Sequence, residues 1–347
     1  MSSAPLQCLA TLSGVTTIAV AFVALARAPL RGTLGARAVY WLWLAVPASA
    51  LALALPRVAR PNGQMGVLTP DVLGWVWARF DALLAAIHAS GRMGVLAGVL
   101  WGAGACAALA LMVLRQRSFA RSLGTLVALP DGTWRSRAVA EPMLIGALRP
   151  RVLVPLDFEQ RYDAEEREFV LAHERAHMRR GDTLVNAVGA AWLCVFWFNP
   201  LMFWAMRLLR FDQDLACDAA VLAAAGKGRR GRYAEALLKA QLAGEAALPV
   251  LACHWRSVHP LRRRIAELRR PAVGRMRHGI GILCVAALVA SVSLTARAVQ
   301  PTPDVAARAA PHAAANTRPS ATVHASGKVC PLTLRRALAQ RAARRRP

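Results

Sequence analysis

The sequence predicts a mainly α-helical membrane protein, with four transmembrane helices and an α+β domain between the third and the fourth. Three observations carry that expectation. The chain has 347 residues, 56% of them hydrophobic, and its mean hydropathy is positive, which is more apolar than a soluble domain of this length needs. Four charge-free apolar stretches, Leu6–Ala26, Ala38–Pro56, Met93–Leu114 and Gly279–Ala296, each have the length that crosses a hydrocarbon core about 30 Å thick. Arginines gather at the ends of these stretches.

The first stretch is read as a retained span, because residues 1–26 hold no Lys or Arg and so lack the basic start of a signal peptide. The connection to the second stretch holds Arg27, Arg31 and Arg37 and no acid. Arg115, Arg117 and Arg121 follow the third stretch, and Arg269, Arg270, Arg275 and Arg277 precede the fourth. Under the positive-inside rule these are cytoplasmic ends. The N-terminus and residues 57–92 are then external, residues 115–278 form a cytoplasmic domain, and 297–347 is a short basic Ala/Pro-rich external tail expected to be disordered. The net charge of +25 is accounted for largely by arginines flanking spans. No recognition motif accompanies it, so no direct nucleic-acid partner is expected.

Gly94, Gly98 and Gly102 recur every four residues on the third span, a spacing that lets helices approach closely, within one chain or in a homodimer. Residues 115–155 read as extended. Thr125–Leu129 precedes the turn signal Pro130-Asp131-Gly132. Short runs follow at Ala138–Ala140, Met143–Ile145 and Arg151–Val154, broken by Pro142 and Pro150, so one or more are edge strands that could line a cleft.

Asp163 with Glu166 three residues on opens a helix over about 164–180, and Arg179, Arg180 and Gly181 close it. This helix carries His173-Glu174-Arg175-Ala176-His177. Side chains at i and i+4 share one helix face, so both imidazoles can reach one ion. In a zinc hydrolase the ion lowers the pKa of a water, and Glu174 is placed to take its proton and pass it to the leaving amine. An HExxH is expected by chance in this composition on the order of 0.005 times. One Zn2+ per chain is the expected cofactor. The seven cysteines include no CxxC, which argues against a disulfide framework and a thiolate zinc site.

A catalytic zinc needs a third protein ligand. Asp214 is the best candidate, and Asp218 lies one turn further on the same helix. One of them can bind metal while the other hydrogen-bonds a ligating imidazole. Asp182, which opens the next helix, joins Asp218 as a candidate for that supporting role. A solvated acidic patch is the bland alternative for this pair. The intervening Thr183–Met206 is apolar and carries no formal charge, long enough for a fifth span. His177 and Asp214 must meet at one ion, however, so the chain has to return. Asn199-Pro200 marks the turn of an antiparallel helix pair with an aromatic flank. A further helix ends before Gly226-Lys227-Gly228.

At this point the sequence resembles the integral-membrane metallopeptidases of the BlaR/MecR type. The resemblance runs over about 6–296 and rests on Leu171-Ala172-His173-Glu174-Arg175-Ala176-His177-Met178-Arg179-Arg180-Gly181-Asp182, Phe196-Trp197-Phe198-Asn199-Pro200-Leu201 and Gln213-Asp214-Leu215-Ala216-Cys217-Asp218. Tyr233-Ala234-Glu235-Ala236-Leu237-Leu238 and His259-Pro260-Leu261-Arg262-Arg263-Arg264-Ile265 add to it. It implies a multi-pass protein of the bacterial inner membrane with a gluzincin-like peptidase domain. It also implies signal-activated cleavage of the chain itself and of a cytoplasmic transcriptional repressor. Two departures stand out. The family's usual third ligand is Glu in a Glu-x-x-Cys-Asp pattern, where this chain has Asp214. A penicillin-binding sensor carries an SxxK nucleophile, and the 50 residues of 298–347 hold none, so beta-lactam sensing is not expected. These departures motivate the alternative of a catalytically weak or inactive membrane signalling scaffold.

Overall fold

The computed structural model describes residues 4–54, 91–226, 228–243, 258–270 and 273–298. Most of the expected loop 57–92, and the tail from 299 on, lie outside the described residues. Among these residues four helices are long and apolar enough to cross a membrane, at Cys8–Leu34, Ala36–Leu53, Gly94–Ser122 and Arg275–Ala296. The protein is therefore a membrane protein in contact with a lipid bilayer.

In chain order the elements are α1 (Ala4–Leu34), α2 (Ala36–Val39) leading through a 3-10 turn (Tyr40–Leu44) into α3 (Ala45–Ala54), and α4 (Gly91–Ser122). Four short strands follow, β1 (Val127–Ala128), β2 (Trp134–Arg135), β3 (Met143–Ile145) and β4 (Arg151–Val154). Then come α5 (Phe158–Arg161), α6 (Ala164–Arg180), α7 (Asp182–Val195), α8 (Pro200–Ala225), α9 (Arg230–Ala243), α10 (Val258–Leu268) and α11 (Arg275–Ala298).

The third span does not give way to extended chain at Arg115. Helix α4 continues to Ser122 and ends where Gly124 takes a left-handed φ of 62°, a conformation that costs glycine nothing. The turn at Asp131 forms as expected, with its carboxylate accepting from the backbone N–H and the hydroxyl of Thr133. That turn creates a strand the pattern did not suggest, β2, which pairs antiparallel with β1 and parallel with β4. Ala138–Ala140 is not a strand, because the Ser136 hydroxyl takes the Ala138 N–H and bends the chain. Met143–Ile145 and Arg151–Val154 are strands in the order β1-β2-β4-β3, so β3 is an edge and β4 is interior. Pro150 precedes β4 and interrupts none of its ladder.

Helix α6 starts at the reciprocal cap formed by Asp163 and Glu166 and stops at Gly181, whose φ is 71°. One face of α6 packs on the sheet through Val170, with Leu144, Val152 and Val154. Phe169 turns toward α8, α9 and α10, joining Val221, Tyr233, Leu237 and Leu268. The apolar segment after it is a helix pair, α7 and α8. Asn199 caps α8 by accepting from the Leu201 N–H, and Pro200 sits at the first helical position, where its missing N–H is not needed.

The tip of this pair is fastened to two spans. Asn199 Nδ2 donates to Thr17 Oγ1 on α1 at 2.8 Å, and Trp101 Nε1 on α4 donates to the Val195 carbonyl at 2.9 Å. Trp197 Nε1 donates to the Trp101 carbonyl at 3.2 Å and its ring lies over Gly104. A Cβ at Gly104 would come within 2.2 Å of that ring, whereas one at Gly102 would meet nothing within 4 Å. Within the chain, the close approach on this span is thus made by Gly104 and not by Gly102. Gly104→Val is expected to destabilise the protein by about 1–3 kcal/mol, the range for overpacking a fitted contact, with Gly102→Val nearly neutral in the same detergent melt.

Arg27 and Arg31 are also not loop residues. Both belong to α1, and both are directed at a buried carboxylate, with Arg27 Nη1 at 2.9 Å and Arg31 Nη1 at 3.1 Å from Asp212 Oδ1. Trp43 Nε1 donates to the other oxygen at 2.8 Å. A buried carboxylate needs such partners to remain charged, so these arginines tie the first span to α8.

Candidate metal centre

Helix α6 places His173 and His177 one turn apart, with their Nε2 atoms 3.1 Å from each other. Each Nδ1 is held from behind. The φ of Gly181 turns the chain so that Asp182, the first residue of α7, returns its Oδ2 to 2.7 Å from His177 Nδ1. His173 Nδ1 lies 3.0 Å from the Tyr233 hydroxyl and 3.1 Å from Asp218 Oδ1. The carboxylates only accept, so the Nδ1 atoms carry the hydrogens and the two Nε2 lone pairs face each other. Two acceptors so close require a cation or a proton between them. Tetrahedral zinc with bonds of about 2.0–2.1 Å spaces two nitrogens by about 3.3 Å, close to the separation seen here.

Asp214 and Cys217 both approach this pair. Asp214 Oδ1 lies 3.5 Å from His177 Nε2, and Asp214 lines the same cleft as His173, Glu174 and His177. Cys217, one turn on along α8, also brings a possible donor atom within 4.8 Å of both histidines, a neighbour that the spacing of the cysteines does not reveal. Cys217 is fully buried and does not line the cleft. Its sulfur sits 3.2 Å from Arg180 Nη2, the guanidinium that also grips Asp182. Asp214 thus faces the open side, where a fourth position can stay free, and Cys217 faces the packed side. Among the described residues, the three whose donor atoms all lie within 4.8 Å of one another are His173, His177 and Cys217; two imidazoles with a thiol or a carboxylate beside them are a donor set that fits a zinc ion.

The supporting groups are themselves supported. Asp218 takes Arg264 Nε at 2.9 Å and Nη2 at 2.7 Å, and the Tyr233 hydroxyl donates to it at 2.6 Å. Burial works against charge on Asp218, but Arg264 holds its pKa far below the usual carboxylate range. Asp182 receives Arg180 and, from the second span, the Tyr40 hydroxyl at 3.0 Å. Neither Tyr233 nor Arg264 was singled out by motif spacing, although both stand in the quoted resemblance segments. Arg264 Nη1 is also 3.8 Å from Asp214 Oδ2.

Electrostatics separates the two histidines. Burial pushes His173 down to about 4. Burial opposes charge on His177 as well, yet Cys217, Asp182 and Asp214 together hold its pKa well above the ordinary value. The surroundings of His177 therefore favour positive charge there. Glu174 is partly buried beside them, and burial lifts its pKa to about 7, with Asp214 and Glu141 adding to the rise. Opposite the helix, Glu141, Pro142, Met143 and Leu144 form the other wall, which is the edge strand β3 and its entry.

The sequence profile of the family described as BlaR1 peptidase M56 matches residues 8–268. The regulatory protein BlaR1 of Bacillus licheniformis is 33% identical over 105 residues, which are 30% of this chain and 17% of that protein. The methicillin resistance mecR1 proteins of Staphylococcus aureus and Staphylococcus epidermidis are 25% identical over 107 residues, 31% of this chain and 18% of each relative. The matched segments span less than a fifth of the length of these curated relatives.

Proposed function

Because the chain belongs to the BlaR1 peptidase M56 family, we propose that it is a membrane-embedded zinc endopeptidase of a signalling system. Its substrates are its own chain, a cytoplasmic transcriptional repressor, or both. In this reading the domain over 115–278 lies on the cytoplasmic side of a bacterial inner membrane, between three spans and a fourth. The observation that carries the proposal is the pair of Nε2 atoms 3.1 Å apart, each backed through Nδ1 by a carboxylate, with Asp214 and Glu174 beside them.

His173, His177 and Asp214 would hold the ion, and zinc bound there supplies a Lewis acid that makes water acidic near neutral pH. The chain's own groups do the rest. Glu174, with a pKa near neutrality, accepts a proton from water and donates it to the departing amine, which is the range where one carboxyl can serve both steps. Asp182 and Asp218 fix the imidazoles with Nε2 forward. A peptide laid along the free edge of β3 would extend the sheet and bring its backbone past Glu174.

One contact favours a second reading, a catalytically weak scaffold: Arg264 lies close enough to Asp214 to compete for its charge. Zinc titration against a chelator separates the two. Asp214→Ala is expected to weaken zinc binding by roughly 10²-fold or more while Cys217→Ala retains near-normal affinity, as for loss of a ligand against loss of a neighbour. Undetectable zinc binding by the unmodified protein would support the scaffold.

A further inference from the structure

Between the second span and the α7–α8 pair lies a cavity of about 340 Å³. Its walls come from the 3-10 turn (Tyr40, Trp43), from α3 (Val46), from α1 (Val20), and from both arms of the pair (Val185, Met202). Almost nothing polar faces into it. Its mouth is equally apolar and open to the outside: Leu44 is 49% exposed, Leu184 46% and Val188 55%. The depth is different, since Met202 is 3% exposed and Leu209 7%.

What surrounds that mouth decides what can enter. Asn199 bonds Thr17 within the first span, and Trp101 and Trp197 join the pair to the third. The pair is therefore packed among the spans, and the rim residues continue their lipid-facing surface. Water gains no hydrogen bonds inside such walls, so an empty or wet cavity is disfavoured relative to one filled by hydrocarbon. The volume falls at the lower end of the range of about 300–1,000 Å³ typical of ligand sites.

We propose that this cavity is a binding site for one acyl chain of a membrane phospholipid, entering between Leu44 and Val188. The chain lies against Tyr40 and Trp43. Tyr40 donates to Asp182 at 3.0 Å and Trp43 to Asp212 at 2.8 Å, so the lipid touches, in Tyr40, a side chain that is one hydrogen bond away from the carboxylate behind His177.

The test uses the full chain in vesicles of phosphatidylethanolamine and phosphatidylglycerol containing a phospholipid with a diazirine midway along one acyl chain. After irradiation, labelled residues are mapped by peptide mass spectrometry. Met202, shielded from bulk lipid, is expected to label as strongly as Leu283, which is 71% exposed on the fourth span. Val188→Trp, which plugs the mouth, is expected to bring the Met202 label to background and leave Leu283 unchanged. Label confined to Leu44, Leu184 and Val188, with none at Met202, would overturn the proposal. So would a Met202 label that persists with the mouth plugged. If Val188→Trp does not insert, the label at Met202 in the unmodified protein decides alone. A second copy or another segment of the chain filling the cavity would appear as absence of lipid label at Met202.

Discussion

Glu174→Gln is expected to lower peptide-bond cleavage by roughly 10²–10⁴-fold, the usual contribution of a general acid–base group, while zinc content and membrane insertion stay unchanged. Glutamine has almost the same shape and leaves the packing of α6 undisturbed. Its amide cannot accept and return a proton. Glu174 is not among the groups whose donor atoms converge beside the two imidazoles, so the metal set proposed above, His173, His177 and Asp214, is left in place. The check pairs an assay of self-cleavage in reconstituted membranes with zinc analysis of the same preparation. Cleavage that survives in the variant would sink the assignment of Glu174 as the proton carrier. Loss of zinc together with activity would move Glu174 into a structural role.

Arg264→Met is expected to cost about 3–5 kcal/mol of stability, the range for removing one partner of a buried ion pair. The Arg264 side chain is 5% exposed and its two bonds to Asp218 are 2.9 and 2.7 Å long. Methionine keeps much of the volume and removes the charge, so Asp218 is left as a buried carboxylate between His173 and Tyr233. Adding Asp218→Asn removes the second charge, and the double variant should recover most of the lost stability. The comparison is a thermal melt of the detergent-solubilised protein with and without zinc. Equal destabilisation in single and double variants would show that the arginine acts through packing alone.

Several parts of this architecture are readable one element at a time. The reciprocal cap of Asp163 and Glu166, the stop at Gly181 and the two histidines four residues apart define α6 within a single helix. Asn199-Pro200 defines the reversal between α7 and α8 in the same way. The four spans stand out by length and hydropathy, although helices α1 and α4 run beyond the apolar runs that announce them. The strands were harder to read. β1 and β2 have two residues each, too few for an alternation to show, and β2 exists because β1 and β4 lie on either side of it.

The sequence by itself determined the spans, the α6 helix with its HExxH, and the returning helix pair. The spans follow from unbroken apolar runs long enough to cross a bilayer, the α6 helix from caps and side chains within about one turn of each other, and the returning pair from the Asn199-Pro200 turn together with the need for both half-sites to meet at one ion. Only the tertiary structure decided which acid backs which imidazole. It set Tyr40 on Asp182 across 142 residues, Arg264 on Asp218 across 46, and Arg27 on Asp212 across 185. It also placed Asp214 on the open side of the cleft and Cys217 on the packed side, though both lie on one helix. The physical reason is desolvation. A buried charge must find a partner wherever the fold provides one, and no local pattern records where that partner lies along the chain.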